Sequence, residues 1–226
     1  MKLSVIIPTY QEEDTIGPLL KHLQQHVSTG TELIVADGGS SDATRCIAEE
    51  HGVRVLTCAR KGRARQMNTG AAASTGDILY FLHADTYPPP DFEQQLMVAV
   101  KQGYGSGCFR LRFDLSHWFL SLNAWFTRFD VDAVRFGDQS LFVRRDIFEQ
   151  VGGFDERLLL LEDQEVVGRL RKLARFIVLP QQVVTSARKY KQVGVYRLQA
   201  GYFLIYGLYR LGASQQRLVR VYKWLL

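Results

Sequence analysis

The sequence predicts an α/β fold: a mostly parallel, doubly wound sheet with antiparallel additions and a helical appendage at the C-terminal end. Three observations predict it. Strand and helix patterns alternate from residue 3 to residue 82. The strands in that stretch are unbroken β-branched and leucine runs, as strands buried on both faces are. Beyond residue 108 the pattern turns to strict alternation and then to aromatic helices.

Leu3 to Ile7 is the first strand, stopped by Pro8. Glu12, Glu13 and Asp14 open a helix at the end where negative charge favours the dipole, and Ile16, Leu19, Leu20, Leu23 and Val27 give it an apolar face. Leu33 to Ala36 is a second strand that ends in Asp37-Gly38-Gly39-Ser40-Ser41-Asp42. A helix over 43–50, a strand over 53–56, a helix over 68–73 and a strand over 78–82 complete the alternation. Pro88-Pro89-Pro90 is a rigid turn before a helix capped by Asp91. Phe109 to Phe113 reads as a half-exposed or antiparallel strand, Trp118 to Phe129 as an aromatic helix, and Ser140 to Val143 as a strand. Helices near 146–150 and over 165–173 follow, with a short last strand over 176–179. No repeat or linker divides the chain, so the expected organisation is one domain over residues 1–190 and a basic, aromatic appendage over 191–226.

Composition narrows the function. Of 226 residues, 46% are apolar and 23% charged, which excludes a disordered chain and suffices for a core without disulfides. Three widely spaced cysteines match neither a zinc knuckle nor a disulfide framework, which implies a reducing compartment. No run of about 18 apolar residues spans a bilayer, and the apolar N-terminal stretch is too short for a signal peptide, so a cytoplasmic location is expected. The net charge of +5 hides an asymmetry: no acidic residue follows Glu165, whereas twelve basic residues do. A basic end on an acidic body fits an anionic partner: nucleic acid, a phosphate-bearing substrate or anionic lipid.

In an open parallel sheet, ligands sit beyond the carboxyl ends of the strands. Pro8-Thr9-Tyr10, the Asp37 turn and His83-Ala84-Asp85 fall there. Asp37 has a plainer reading as a turn former, with Ser40, Ser41 and Asp42 capping the next helix. Neither GxGxxG nor GxxxxGK[ST] is present, which argues against a dehydrogenase or a P-loop ATPase.

The ordered set resembles the family 2 glycosyltransferases of the GT-A fold. It comprises Ser4 to Glu12, Asp37 to Asp42, Asn68-Thr69-Gly70 ahead of Gly76-Asp77, His83-Ala84-Asp85, and Gly152-Gly153-Phe154 before Glu162-Asp163, and spans about residues 3–180. Gly62 to Asn68, Phe136-Gly137-Asp138-Gln139 and Thr185 to Arg188 are similar to a short subgroup of radical-SAM/selenodomain-associated transferases. The resemblance implies a GT-A nucleotide-diphospho-sugar transferase fold and inverting transfer of one sugar from a nucleotide-diphosphate donor to an acceptor hydroxyl, with Mn2+ or Mg2+. Pro8, Tyr10 and Glu12 would line the nucleotide pocket, and Asp37 would hold the base or ribose. Asp85 matches the last aspartate of the family's D-x-D metal motif. The first position of that motif is His83, a departure; Ala84 lies between, and a donor-contacting His83 and a merely hydrogen-bonded one both stand. Asp163 would be the base, with Glu162 beside it and Leu158 to Leu161 as an apolar wall that raises one carboxylate's pKa. Asp163, with Glu165, also suits the N-terminus of the helix that runs to Leu173. Arg63, Asn68 and Arg188 join the expected donor site, whereas Lys189 and Lys191 read as a solvated basic face. The Q-x-x-R-W motif of processive members is absent, so a single transfer is expected.

In the tail, Leu218, Val221, Tyr222 and Leu225 share one helical face opposite Arg217, Arg220 and Lys223. Such a helix lies on an anionic membrane carrying a lipid acceptor, at the inner face, or packs on the domain or on a second copy in a homodimer. Two competing functions are a nucleotidyltransferase and a non-enzymatic binding module for anionic lipid or nucleic acid. The first wants a basic glycine-rich loop after the first strand, where Tyr10 to Asp14 is acidic instead; the second leaves Asp37, Asp85 and Asp163 unexplained, and no nucleic-acid motif supports it.

Overall fold

A computed structural model describes residues 1–58, 61–131 and 137–225. Phe136, quoted above in the Gly137 motif, lies outside the described residues. Eight strands form one sheet in the order β3-β2-β1-β4-β7-β6-β8-β5. β1 (Leu3–Thr9), β2 (Glu32–Asp37), β3 (Arg54–Thr57) and β4 (Ile78–Phe81) pair in parallel. β7 (Leu141–Arg144) runs antiparallel to β4 and to β6 (Ser106–Phe113). β8 (Phe176–Thr185) runs parallel to β6, and the two-residue β5 (Thr86–Tyr87) antiparallel to β8. The expected sheet, parallel with antiparallel additions, is the one observed.

Its two faces come from the period of two in the strands. Leu3, Val5 and Ile7 of β1 join Leu19, Leu20 and Leu23 of α1 (Glu13–His26) and Phe92 and Leu96 of α4 (Phe92–Lys101) in one buried cluster. Ile6 points the other way, to Met67 of α3 (Arg63–Ala73), Phe148 of α6 (Arg145–Gln150) and Val166 of α7 (Glu162–Leu173). The short α2 (Thr44–Glu50) packs beside α1.

Several boundaries differ from the expectation, each for a local reason. The last strand runs to Thr185 because Pro180 and Gln181 bulge out: Phe109 pairs with Leu179, but Arg110 pairs with Gln182. α3 begins at Arg63, after Gly62 at φ 145°, ahead of the start expected at residue 68, so Arg63 sits on its first turn. α7 begins at Glu162, and Leu161 before it takes a left-handed φ of 66°. α5 (Trp118–Phe126) ends three residues earlier than its apolar pattern. The tail forms α8 (Arg188–Val193), α9 (Val195–Arg210) and α10 (Gln215–Leu225), so the 190/191 boundary falls inside α8. Among the described residues, no helix is long and apolar enough to cross a membrane.

At the amino ends of the strands, a Cβ on Gly76 would stand 2.6 Å from Ser4 Oγ and 2.7 Å from its backbone N. Gly76→Ala therefore overpacks β1, and urea denaturation is expected to show a loss on the order of 2 kcal/mol.

Candidate active site

The strand order reverses direction at β1, between β2 and β4, and the carboxyl ends of these strands open a cleft at that switch point. Pro8, Thr9, Tyr10 and Glu12 follow β1; His83, Ala84 and Asp85 follow β4; Arg63 and Gln66 come from α3, Arg188 and Lys189 from α8, and Asp138 from a 3-10 turn (Gly137–Gln139), around a cavity of about 190 Å³. A second cavity of about 170 Å³ shares Arg63, Asp85, Asp138 and Lys189 and adds Asp163, Leu160, Leu161, Tyr190, Tyr202, Tyr206 and Tyr222. Asp85 and Asp163 thus open on one continuous cleft, polar on the side of β1 and aromatic on the side of α8–α10.

The β5–β8 pairing brings the basic tail to this cleft. Thr86 pairs with Thr185, and the Ser186 N–H donates to the Asp85 carbonyl at 3.0 Å. Arg188 Nη2 then reaches both Glu12 carboxylate oxygens at 2.7 Å and lies 3.4 Å from Asp85 Oδ2. Lys61 lies 4.0 Å over the Tyr10 ring and donates to its hydroxyl, which lowers the Tyr10 pKa.

At the junction, His83 Nδ1 lies 3.1 Å from Asp138 Oδ1. Burial and the Arg63 charge oppose protonation of His83, but the Asp138 hydrogen bond and the Asp138 and Asp163 charges outweigh them, so its pKa is raised. Burial also works against the charge on Asp138, whose pKa is nonetheless lowered by His83, Arg63 and Lys189. Asp85 goes the other way, raised by burial and the Asp138 charge and only partly relieved by His83 and Arg188. Asp163 is pushed up to about 6, first by burial and then by Glu162. Arg63 Nη1 sits 3.2 Å from Glu162 and 3.9 Å from Asp163. Gly137 is needed beside them: a Cβ there would collide with the Asp163 carboxylate and stand 3.2 Å from His83 Cε1.

Three expected site residues do not face the cleft. Asp37 is fully buried, and its carboxylate is taken up by the Gly39 and Ser40 N–H groups at 2.9 and 2.8 Å and by the Thr9 and Ser40 hydroxyls. It shapes the turn after β2. Asn68 exchanges hydrogen bonds with the Phe154 backbone, both at 2.9 Å, and so fixes the Gly153-Phe154 loop. Glu162 is 2% exposed and holds Arg63 from below. Lys189, expected on a solvated face, lines both cavities instead, with Nζ 3.2 Å from the Tyr222 hydroxyl.

Sequence reasoning missed Asp138, although it lies in a quoted motif, and Gln66, whose buried amide donates to the carbonyls of Thr9 and Ala36 at 2.6 and 2.9 Å. The Tyr202/Tyr206 spacing of four was a signal that α9 carries an aromatic face.

Asp85 and Asp138 offer the hard oxygen donors that Mn2+ and Mg2+ take. Among the described residues, no three His, Cys, Asp or Glu side chains form a metal cage. The site therefore fits a cation that fills its remaining positions from a phosphate-bearing ligand and water.

The family model for glycosyl transferase family 2 matches residues 4–149, a stretch that ends before α7, so Asp163 and Arg188 lie beyond it. An undecaprenyl-phosphate 4-deoxy-4-formamido-L-arabinose transferase of Klebsiella pneumoniae is 32% identical over 113 residues, 46% of this chain and 35% of the relative. A probable glycosyltransferase of Bacillus subtilis, YdaM, is 28% identical over 207 residues, 78% of this chain and 48% of the relative. The chain thus spans between a third and half the length of these curated relatives. The mannosyltransferase PcManGT of Pyrobaculum calidifontis, solved with GDP-mannose and Mn2+, superposes with a TM-score of 0.73 at 19% identity, over 90% of this chain and 61% of that one. That likeness shows the GT-A fold.

Because the Asp138 hydrogen bond and charge favour protonated His83, Asp138→Asn is expected to lower the His83 pKa, read by NMR titration of the imidazole. An unchanged His83 would assign the pairing to packing alone.

Proposed function

This chain belongs to glycosyltransferase family 2, and on that premise we propose that it moves one sugar, with inversion, from a nucleotide-diphosphate donor to an acceptor hydroxyl. The observation that carries the proposal is the continuous cleft that holds Asp85 at its polar end and Asp163 at its aromatic end. The GDP-mannose and Mn2+ of the Pyrobaculum structure support a nucleotide sugar and a divalent cation here. The undecaprenyl phosphate named for the Klebsiella relative supports a lipid acceptor, met at the inner face of a membrane.

In this reading, the donor lies across the carboxyl ends of β1 and β4, with Pro8, Tyr10, Glu12, His83 and Ala84 about the nucleotide. Arg63, Arg188 and Lys189 bring three positive charges to the diphosphate. Glu12 holds Arg188 in place, and Glu162 does the same for Arg63, so neither guanidinium has to be ordered when the donor binds. Asp85, with Asp138 beside it, would hold Mn2+ or Mg2+, which when bound neutralises the diphosphate and so stabilises the departing nucleotide. Asp163 takes the proton from the acceptor hydroxyl as its oxygen attacks the anomeric carbon and the bond to the diphosphate breaks on the opposite face. A pKa near 6 suits this: the carboxylate is ionised at pH 7.5 yet more basic than an ordinary aspartate. The tyrosines of α8–α10 wall the acceptor side, and with no Q-x-x-R-W motif the chain fits a single transfer.

Asp163→Asn is expected to retain nucleotide binding and to lose transfer by about three orders of magnitude. In the native chain, the rate at low acceptor should rise with pH through about 6 as Asp163 ionises. The same shift has a stability sign. The folded pKa lies above the unfolded value of roughly 3.9, so the native state binds the extra proton between the two, and this group's contribution falls as pH rises from about 4 to 6. Asp163→Asn should therefore unfold at an equal or higher temperature than the native chain at pH 7.5. Normal transfer by Asp163→Asn would remove it as the base.

GDP and UDP are each expected to raise the melting temperature more with Mn2+ than without, and Asp85→Ala to remove only the Mn2+-dependent part. An undiminished Mn2+ effect in that variant would place the cation elsewhere.

A further inference from the structure

The apolar face expected on α10 is spent inside the protein. Leu218 and Leu225 are buried, Val221 and Tyr222 pack with them and with Leu160, Leu161 and Ile205, and Leu225 rests on Gly201. The exposed apolar surface lies elsewhere. α9 leaves Tyr196, Phe203 and Leu204 outside, with Leu211 just past its end, at the spacing of one helical face. α5 leaves Trp118, Leu122, Trp125 and Phe126 outside, followed by Phe129. The two strips meet where the Tyr196 ring lies 6.4 Å from Trp118 and 5.3 Å from Phe119.

The opposite sides of these helices face the cleft. Asn123 of α5, Thr127 just past its end, and Tyr202, Ile205 and Tyr206 of α9 line the cavity that holds Asp163. The same pair of helices therefore builds the acceptor-side wall and carries an aromatic outer surface. Monomeric proteins rarely leave a contiguous apolar surface of this kind bare, and indole and phenol rings favour the boundary between hydrocarbon and water.

We propose that the outer faces of α5 and α9 form a surface that docks on an anionic lipid bilayer and sets the acceptor side of the cleft against it. Charge favours this occupant. The Arg128 guanidinium lies 4.4 Å over the Trp125 ring, and Lys191, Arg197 and Arg210 are exposed on or beside α9. No acidic residue follows Glu165 to oppose them. Basic residues at the edge of an apolar face attract anionic headgroups, an attraction that salt weakens. A second copy of the chain would bring the same basic residues against one another in a two-fold interface. The proposal rests on the glycosyltransferase reading for its purpose, since it gives a lipid acceptor a route to Asp163, but the docking is measured without turnover.

All three tryptophans are exposed, at 66% for Trp118, 45% for Trp125 and 73% for Trp224. A full-length Trp224→Phe chain therefore reports emission from α5 alone. With vesicles of phosphatidylcholine and phosphatidylglycerol in equal parts, its emission should shift to the blue and be quenched by lipids brominated on their chains. The effect should weaken with salt and with phosphatidylcholine alone. Adding Leu122→Ser with Phe126→Ser, or Phe203→Ser with Leu204→Ser, should cut vesicle partition by about tenfold or more, because exposed apolar contacts with lipid are removed while the core is untouched. Thermal stabilisation by GDP with Mn2+ in the same variants checks that they fold and tests the donor reading separately. Docking without nucleotide stabilisation would sink the donor reading and leave this surface standing. Unchanged emission with every vesicle, docking that both serine pairs retain, or tryptophans hidden instead in a concentration-dependent dimer would each overturn the docking surface.

Discussion

The hydrogen bond from the Ser186 N–H to the Asp85 carbonyl is the seam where the acidic body of this chain meets its basic end. A hundred residues separate the two positions, and the entropy of closing so long a loop is met by the whole β6–β8 ladder rather than by this contact. Once the seam is made, α8 starts over the carboxyl ends of β1 and β4, and Arg188 has Glu12 and Asp85 within reach. Without it the cleft would hold Glu12, Asp85, Asp138 and Asp163 against Arg63 and His83. The bulge at Pro180–Gln181 belongs to the same constraint, because it lets β8 continue past a proline to Thr185.

Backbone strain gathers in the same place. Gln11, Ser140 and Leu161 are the non-glycine residues with positive φ among the described residues, and each lies beside a cleft residue: Tyr10 and Glu12, the Asp138 turn, and the Glu162-Asp163 pair. Left-handed backbone costs about 1 kcal/mol or more at such residues and persists only where the surroundings fix it. For Leu161 the surroundings are visible: its side chain packs with Ile205 and Leu218, so the tail helices help to hold the turn that aims Asp163.

The fold class was legible because both faces of β1 to β4 are covered, which leaves strands as unbroken apolar runs that period alone identifies. The ends of elements were not, since Pro180 reads as a stop unless the bulge is known, and nothing local shows that Gly62 opens α3. The strand-end residues Pro8, Tyr10, Glu12, His83, Ala84 and Asp85, named from the sequence, line one cleft. Asp37 misled because a carboxylate in a glycine-serine turn looks the same whether it binds a ligand or its own loop, and here four protein donors occupy it. The tyrosine wall was hidden for a different reason. Amphipathic spacing shows that α10 has an apolar face, but not whether water, lipid or another helix covers it.

The two halves of the cleft rest on cores of very different size. The polar half is fixed to strand ends held between two large buried clusters, one on each face of the sheet. The aromatic half hangs on two small ones, Leu120, Ala187, Tyr190 and Leu198 in one and Ile205, Leu218 and Leu225 in the other, with partly buried neighbours. Free energies of local opening follow buried apolar contact, so the α9–α10 pair sits at the lower end of this protein's stability and the polar half of the cleft at the upper. A binding site divided in this way keeps its charged groups rigid, where electrostatic preorganisation matters most. On the proposed reading, the wall that would take the acceptor is then the part that yields with least effect on the rest. Tyr222 links the two parts, since its hydroxyl meets Lys189, which lines both cavities, and the Leu161 turn is a second link, through Glu162 to Arg63.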